Sequence, residues 1–286
     1  MKIFLPPRIG FCSGVKKTIR LAELALKKGQ QVYSLGDLVH NPEVIRSLIE
    51  KGMRPISSLD EVQEGTVITR SHGIDPALIR KGQEKGLKMV DTTCSYVLKV
   101  QKIAKFLQKE SYQLIIVGSR HHPEIEALTA TLSSNGVHVI NNPQEVRFTP
   151  TFIKAGIVAQ TTEGLDNFTN IIKNLIQRQK SGELRIFNTI CRIVRERQSD
   201  VQSLANKVEA MIIVGGRNSS NTQQMVNLCR RMKVKTYFLE KETDLNLEEL
   251  TGFEKVGISG GTSTPGETIY RIKQILLSLG KRKEYI

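Results

Sequence analysis

The chain repeats one pattern three times, and a cysteine opens each copy. Each cysteine follows a short apolar run and precedes a helical pattern, and a glycine stands 24 residues further on. A polar residue follows 28 residues after each cysteine. The three series are Cys12, Gly36 and His40; Cys94, Gly118 and His122; and Cys191, Gly215 and Ser219. This internal repeat predicts three similar structural units that bring three thiols to equivalent positions.

Apolar strand patterns alternate with helical patterns in every copy. In the second copy, strand patterns lie at 114–117, 137–140 and 156–159, with a helix starting near Glu124. Such alternation favours right-handed crossovers and parallel sheets, and continuous apolar strands are typical of sheets covered on both faces. The fold class is therefore α/β. Ligands of these sheets bind beyond the carboxyl ends of the strands, where the cysteines and the polar loops fall.

The repeat also divides the chain into domains. Three α/β/α domains related by a pseudo-threefold axis are expected, each of roughly 90 residues and each able to bury a modest core. Their three small parallel sheets could direct their working edges at one cavity. The predicted boundaries are an N-terminal strand with the first cysteine at 1–13, domains at 14–93, 94–188 and 189–280, and a basic C-terminal tail at 281–286.

The composition of the chain indicates the cellular compartment in which it is expected. The longest apolar runs, such as 114–117 and 211–214, are far too short to span a membrane. Residues 1–7 lack the long apolar stretch of a signal peptide. We therefore expect a cytoplasmic protein that does not contact membranes, in a compartment where paired disulfides are unusual.

A net charge of +14 is the second compositional constraint. It suits an anionic partner, whether nucleic acid, a phosphorylated substrate or an acidic protein, and it also fits a solvated basic surface. Aromatic residues make up 5% of the chain and tryptophan is absent. Stacking recognition of single-stranded nucleic acid is therefore disfavoured.

The three repeated cysteines are candidate metal ligands. Each lies at or near a predicted helix N-terminus, where the helix dipole favours the thiolate. Three thiolates are one short of a tetrahedral shell, and the vacancy is where chemistry would occur. Cys229 lies in the middle of a predicted helix, outside the repeat, and is interpreted as structural. No Cys-x-x-Cys occurs, which disfavours zinc ribbons and small ferredoxins.

Polar loops at the strand ends predict an anion site. His40, His72 and His122 all lie in such loops, whereas His138 lies in a strand and is interpreted as structural. Residues 218–221 place four polar side chains at a helix start, including Ser219, Ser220 and Asn221. Backbone amides there would add donors for a phosphate. An ordinary N-cap cluster is the alternative interpretation.

Glu124 is the carboxylate directly beside one of these histidines. If the cavity exists, Glu124 is the natural proton donor within it. The alternative is an ordinary glutamate in the first turn of a helix, where the dipole favours negative charge. Thr161 and Thr162 follow a strand and could orient water or relay a proton.

These motifs resemble the family of 4-hydroxy-3-methylbut-2-enyl diphosphate reductases, which catalyse the last step of the methylerythritol phosphate route to isoprenoids. They run in the family's order over nearly the whole chain. The sequence departs from the family pattern at positions such as Ser95 and Gln101, without losing a presumed ligand. The segments that carry the resemblance are 10–15, 39–41, 71–73, 91–94, 122–124, 160–162, 188–191, 218–221 and 263–265.

The resemblance implies a fold, a cofactor and a set of site residues. It implies a trefoil of three domains around one 4Fe–4S cluster, held by Cys12, Cys94 and Cys191, whose fourth iron stays open as a Lewis acid. Glu124 would supply protons, with Thr161 positioning the substrate. The diphosphate would lie among His40, His72, His122, Thr161, Ser219, Ser220, Asn221 and Ser263.

It also implies partners and products. The hydroxylated allylic diphosphate would be reduced to isopentenyl and dimethylallyl diphosphate by a monomer. Electrons would come from ferredoxin or flavodoxin, two acidic proteins that suit the net charge of +14. Two other classes stay open on sequence grounds. One is a non-catalytic zinc or RNA-binding protein, and the other is an iron–sulfur hydro-lyase that needs no reductant.

Overall fold

The computed structural model describes residues 1–179 and 182–282, with side chains described as far as Ser278 in the last helix. Its described residues form three parallel sheets of four strands each. The first sheet holds β2 (Val32–Leu35), β3 (Met53–Ile56), β4 (Thr66–Ile68) and β5 (Lys88–Val90). The second holds β6 (Gln113–Val117), β7 (Val137–Ile140), β8 (Lys154–Ala159) and β9 (Glu183–Ile186). The third holds β1 (Lys2–Phe4), β10 (Ala210–Val214), β11 (Lys235–Leu239) and β12 (Lys255–Gly260).

The three sheets share one strand order. The orders are β3-β2-β4-β5, β7-β6-β8-β9 and β11-β10-β12-β1. The strand that leads into each cysteine therefore completes a sheet whose other three strands come from a different copy of the repeat. For Cys12 that strand is β1, which pairs with β12 near the other end of the chain. The predicted fold class, an α/β protein with three small parallel sheets, is confirmed.

Helices connect the strands as the alternation predicts. The first three are α1 (Ser13–Leu26), α2 (Pro42–Glu50) and α3 (Pro76–Glu84). The next three are α4 (Ser95–Lys109), α5 (Pro123–Thr129) and α6 (Leu165–Arg178). The last three are α7 (Arg192–Ala205), α8 (Ser220–Arg231) and α9 (Gly266–Arg282). Among the described residues, no helix is both long and apolar enough to cross a membrane.

The second sheet shows why its strands are apolar throughout. Alternate residues of β6 face opposite sides, because side chains alternate along a strand. Ile115 belongs to a buried cluster with α6, and Ile116 belongs to another with α4. Both residues are fully buried. The sheet is thus covered on both faces, as its continuous apolar strands predict.

The chain separates into two compact units. One contains Met1–Lys16, Val39–Leu48 and the described part of Arg192–Ile286, and it carries the third sheet. The other contains Lys17–Leu38 and Ile49–Cys191, and it carries the first and second sheets. The three-domain boundaries expected from the repeat stay a prediction. The predicted basic tail at 281–286 lies, beyond residue 282, outside the described residues.

The glycines 24 residues after the cysteines close equivalent turns. Each donates its N–H to the last carbonyl of the neighbouring edge strand. At Gly215 an added Cβ would lie 2.7 Å from the Thr222 hydroxyl and 2.9 Å from that of Thr264, so no larger residue fits. The pairs are Gly36 with Ile56 (3.0 Å), Gly118 with Ile140 (2.9 Å) and Gly215 with Leu239 (2.9 Å).

Candidate active site

Each repeated cysteine is anchored by the same backbone hydrogen bond. The strand that leads into each cysteine pairs with β12, β4 or β8, and the cysteine N–H donates to a carbonyl in the polar loop that follows that neighbouring strand. Each cysteine also directly precedes a helix: α1, α4 or α7. The pairs are Cys12 with Thr262 (3.0 Å), Cys94 with Ser71 (2.9 Å) and Cys191 with Thr161 (2.9 Å). The repeat in the sequence is therefore a repeat of local geometry around each thiol.

The three repeated thiols share a position directly before a helix. None of the cysteines is in a disulfide. The helix N-terminus supplies positive potential, and the Val15 N–H lies 3.5 Å from the Cys12 sulfur. Cys12 and Cys94 are half-buried, and Cys191 is buried. The first unit carries Cys12, and the second carries Cys94 and Cys191.

The described residues do not form a site for a single metal ion. No group of three His, Cys, Asp or Glu side chains within them converges on one point.

Cys229 is part of the core, as predicted. It lies within α8 and is fully buried in a cluster that includes Val201, Leu204 and Met225. Burial raises the pKa of its thiol to about 11. Cys229 therefore stays protonated and apolar in character, unlike a ligand.

Glu124 and Thr161 form a buried, hydrogen-bonded pair in the second unit. The Thr161 N–H donates to one carboxylate oxygen of Glu124 at 2.7 Å, and the Thr161 hydroxyl donates to the other at 2.6 Å. Glu124 is only 1% exposed. Burial raises the pKa of Glu124 from its ordinary 4.5 to about 7, although the two Thr161 hydrogen bonds act against this shift. The carboxyl group is thus balanced between acid and base near neutral pH.

Thr161 joins this acid to a cysteine. Its carbonyl accepts the Cys191 N–H, while its own N–H and hydroxyl bind Glu124. The neighbouring Thr162 has a different partner, because its hydroxyl accepts from the Gln160 side chain at 2.7 Å. Of the two predicted threonines, Thr161 therefore contacts the acid.

His122 is buried beside Glu124 and has a defined tautomer. It caps the start of α5, where its Nδ1 accepts from the Glu124 N–H at 3.1 Å. A neutral His122 therefore carries its proton on Nε2, which makes that nitrogen a donor for an anionic oxygen. The His72 ring meets the His122 ring edge-on, with centroids 5.6 Å apart. The structure thus brings together His72 and His122, two of the predicted anion-binding residues.

The first unit brings together His40 and Ser263, two further predicted residues. The Ser263 hydroxyl donates to the His40 carbonyl at 3.0 Å. Gly216 also approaches this carbonyl, since an added Cβ at Gly216 would lie 2.6 Å from the His40 oxygen. The loop before α2 is therefore fixed by two other loops of the same unit.

Ser219 and Asn221 lie at the start of α8. Ser219 is the N-cap, and its hydroxyl accepts from the Thr222 N–H at 3.3 Å. Asn221 is 1% exposed, and neither its amide nitrogen nor its amide oxygen has a hydrogen-bond partner among the described residues. A buried amide left in this state is costly, which points to a polar ligand at this position. The N-cap interpretation holds for Ser219 and does not explain Asn221.

Arg197 is a polar residue of this region to which sequence reasoning assigned no role. It lies on α7, is 2% exposed and donates to three backbone carbonyls beside the Cys12 loop. An arginine six residues after a cysteine carries no signal by itself. Only the fold places its side chain against residues from both ends of the chain.

Comparison with known proteins gives a consistent family. The model of the family described as LytB protein matches residues 3–277. The 4-hydroxy-3-methylbut-2-enyl diphosphate reductase of Geobacter sulfurreducens is 36% identical over 278 residues, which cover 96% of this chain and 98% of that protein.

Two solved structures are similar over nearly the full chain. The E-1-hydroxy-2-methyl-but-2-enyl-4-diphosphate reductase from Plasmodium falciparum has a TM-score of 0.90 at 26% identity, covering 96% of this chain and 87% of that one. A second, an (E)-4-hydroxy-3-methyl-but-2-enyl diphosphate reductase, has a TM-score of 0.71 at 36% identity, covering 96% and 99% of the two chains.

Proposed function

The chain belongs to the LytB protein family, and we propose that it reduces (E)-4-hydroxy-3-methylbut-2-enyl diphosphate to isopentenyl and dimethylallyl diphosphate. The allylic carbon–oxygen bond breaks, and two electrons and two protons enter. One proton leaves with the hydroxyl oxygen as water. The other adds to either end of the allylic carbon chain, which accounts for the two products. The relatives named above carry the name of this activity and match nearly the whole chain.

We assign Cys12, Cys94 and Cys191 as the ligands of one 4Fe–4S cluster per chain. The donor set fits, because thiolates are the usual ligands of such clusters and each of these cysteines is outside any disulfide and adjoins a helix N-terminus. When bound, the cluster would supply the electrons and the Lewis acidity of an iron without a protein ligand.

The diphosphate is assigned to the polar residues that the sequence singled out. In the second unit, the Nε2–H of His122 and the neighbouring His72 provide donors. In the first unit, the buried amide of Asn221 is an unused donor and acceptor, and Ser219 and Ser220 begin α8. Helix N-termini and backbone amides favour a phosphate group. His40, Ser263 and Thr161 complete the assigned set.

Glu124 is the proposed proton donor. The main observation that supports this proposal is that Glu124 is buried and accepts two hydrogen bonds from Thr161. An acid whose pKa is about 7 can hold a proton at neutral pH and release it to a leaving hydroxyl. An unperturbed glutamate would be ionised under the same conditions. Thr161 fixes both carboxylate oxygens and therefore the direction in which the acid can donate.

The electron donor is proposed to be ferredoxin or flavodoxin. An acidic donor protein would be attracted to a chain whose net charge is +14. Cysteines outside disulfides suit the reducing conditions of the cytoplasm, where we propose that the reaction takes place. We propose that the enzyme acts as a monomer.

Metal and sulfide analysis of anaerobically purified protein tests the assignment. We expect brown protein with about four irons and four sulfides per chain. Colourless protein with one stoichiometric zinc would contradict the proposal. Turnover of the diphosphate without any reductant would instead favour a hydro-lyase.

A further inference from the structure

Two of the three cysteine loops are fixed by a threonine hydroxyl. Two residues before Cys94, the Thr92 hydroxyl donates to the Thr69 carbonyl at 2.6 Å. Two residues before Cys191, the Thr189 hydroxyl donates to the Ala159 carbonyl, also at 2.6 Å. In both copies the acceptor lies two residues before the carbonyl that receives the cysteine N–H. The same bond therefore ties two cysteine loops to the end of the neighbouring strand, β4 or β8.

The third loop cannot use this bond. The residue two positions before Cys12 is Gly10, which has no side chain. Its φ of +78° lies in the left-handed region, which a β-branched residue such as threonine strongly disfavours. The Cys12 loop therefore needs a donor from elsewhere to be held in the same way.

Arg197 supplies that donor. One guanidinium nitrogen, Nη1, donates to the carbonyls of Gly260 and Gly261 at 2.9 Å each. The other, Nη2, donates to the Gly10 carbonyl at 2.8 Å. Gly260 lies two residues before Thr262, the acceptor of the Cys12 N–H, and so it is the counterpart of Thr69 and Ala159. The guanidinium thus takes the place of the missing hydroxyl and also holds the Gly10 carbonyl.

The replacement adds a buried positive charge at one thiol. Arg197 is 2% exposed. Burial lowers its pKa, while the negative charges of Cys12 and Asp200 act in the opposite direction. The equivalent position of the repeat, six residues after the cysteine, holds Thr18 in α1 and Val100 in α4. The first and second copies of the repeat therefore carry no cation at this position.

We propose that Arg197 is a positioning residue that fixes the Cys12 loop and, through its charge, raises the reduction potential of the cluster. The second part depends on the proposed function, since it requires Cys12 to be a cluster ligand. A nearby cation stabilises the more negative, reduced state of an iron–sulfur cluster, so removing the cation lowers the potential. The first part depends only on the three hydrogen bonds that Arg197 donates to Gly260, Gly261 and Gly10, which we call the clamp.

The test compares Arg197→Gln with Arg197→Lys. Hydrogen exchange of the purified full-length protein, measured on peptides covering residues 9–16, reports the loop. Anaerobic redox titration of the cluster reports the charge. Arg197→Gln is expected to speed exchange of the protected amide near Cys12 roughly tenfold or more and to lower the midpoint potential. Arg197→Lys is expected to speed exchange as well, because an ammonium cannot span three carbonyls, but to keep the potential near that of the wild type.

Two controls separate charge from hydrogen bonding. Thr189→Val removes the equivalent neutral bond and should speed exchange near Cys191 without moving the potential. Arg271→Gln removes a cation that pairs with Glu43 and Glu242 on the surface, and it should change neither readout. Unchanged exchange in both Arg197 variants overturns the clamp. An unchanged potential in Arg197→Gln, or an equal fall in Arg197→Lys, overturns the role of the charge.

The two proposals can fail separately. If Arg197→Gln does not fold, exchange in Arg197→Lys still tests the clamp, and the potential of Arg197→Met, which is also uncharged, tests the role of the charge. Exchange requires no cluster, so it tests the clamp even in protein without iron. Absence of iron and sulfide from the wild-type protein would contradict the proposed function and leave the clamp to be judged by exchange alone.

Discussion

Thr161 holds both carboxylate oxygens of Glu124, one through its backbone N–H at 2.7 Å and one through its hydroxyl at 2.6 Å. The carbonyl of the same threonine receives the Cys191 N–H at 2.9 Å. One residue thus fixes the proposed proton donor and one proposed cluster ligand together. The orientation of the acid and the position of the thiol are coupled within a single loop.

Replacing the acid should abolish most of the activity. Glu124→Gln keeps the shape of the side chain and removes its proton, so kcat should fall about 10²–10⁴-fold while the cluster spectrum is retained. Steady-state kinetics and the visible spectrum of the same preparation measure both. The matched control is Glu126→Gln, an exposed glutamate on the same helix, which should keep wild-type turnover. Equal activity in the two variants would remove Glu124 from the mechanism.

The pH profile should follow the ionisation of Glu124. The protonated form is the donor, so kcat should decline as the pH rises through about 7, the raised pKa of the buried carboxyl. Thr161→Val removes a hydrogen bond that lowers this pKa, so the alkaline decline should move to higher pH. Thr161→Ser, which retains a hydroxyl, should leave the decline near its original position. A shift to lower pH in Thr161→Val would show that another group controls the profile.

The four cysteines should divide into two classes. Serine at Cys12, Cys94 or Cys191 should prevent assembly of an intact cluster, measured as iron and sulfide per chain. Cys229→Ser should retain cluster and turnover. It should lose on the order of 1 kcal/mol of unfolding free energy, because it places a hydroxyl in an apolar cluster. If Cys229→Ser bleaches the protein, the choice of ligands is wrong.

Asn221 should show opposite effects on stability and on substrate binding. Its buried amide has no partner among the described residues, so Asn221→Leu should stabilise the substrate-free protein by about 1 kcal/mol in thermal unfolding. The same variant should raise KM about tenfold or more, since it cannot bind the diphosphate. The exposed Asn227 on the same helix provides a control, and Asn227→Ala should leave KM unchanged. An unaltered KM in Asn221→Leu would place the diphosphate elsewhere.

The sequence predicts well the secondary structure and the placement of the three repeated cysteines at the starts of helices, because both follow local patterns that occur three times. The strand at 114–117 and the helix near Glu124 lie where the apolar periodicity indicates. The pairing of β1 with β12 is less accessible, because the two strands lie at opposite ends of the chain. Periodicity shows that a strand exists and does not identify its neighbour.

The chemistry of the candidate site is predicted only in part. The position of Glu124 beside a histidine suggests an acid, but its raised pKa depends on burial, which the sequence does not contain. The role of Arg197 depends on two loops separated by about 250 residues of chain, Gly10 and Gly260–Gly261. Contacts of this kind arise from the tertiary fold, and no spacing rule anticipates them.

Anaerobic turnover of (E)-4-hydroxy-3-methylbut-2-enyl diphosphate by the iron-loaded protein, with a chemical reductant, tests the central proposal most directly. The expected result is reductant-dependent formation of isopentenyl and dimethylallyl diphosphate, which is lost in Glu124→Gln and kept in Glu126→Gln. Recovery of unchanged substrate from a protein that carries its full cluster would contradict it.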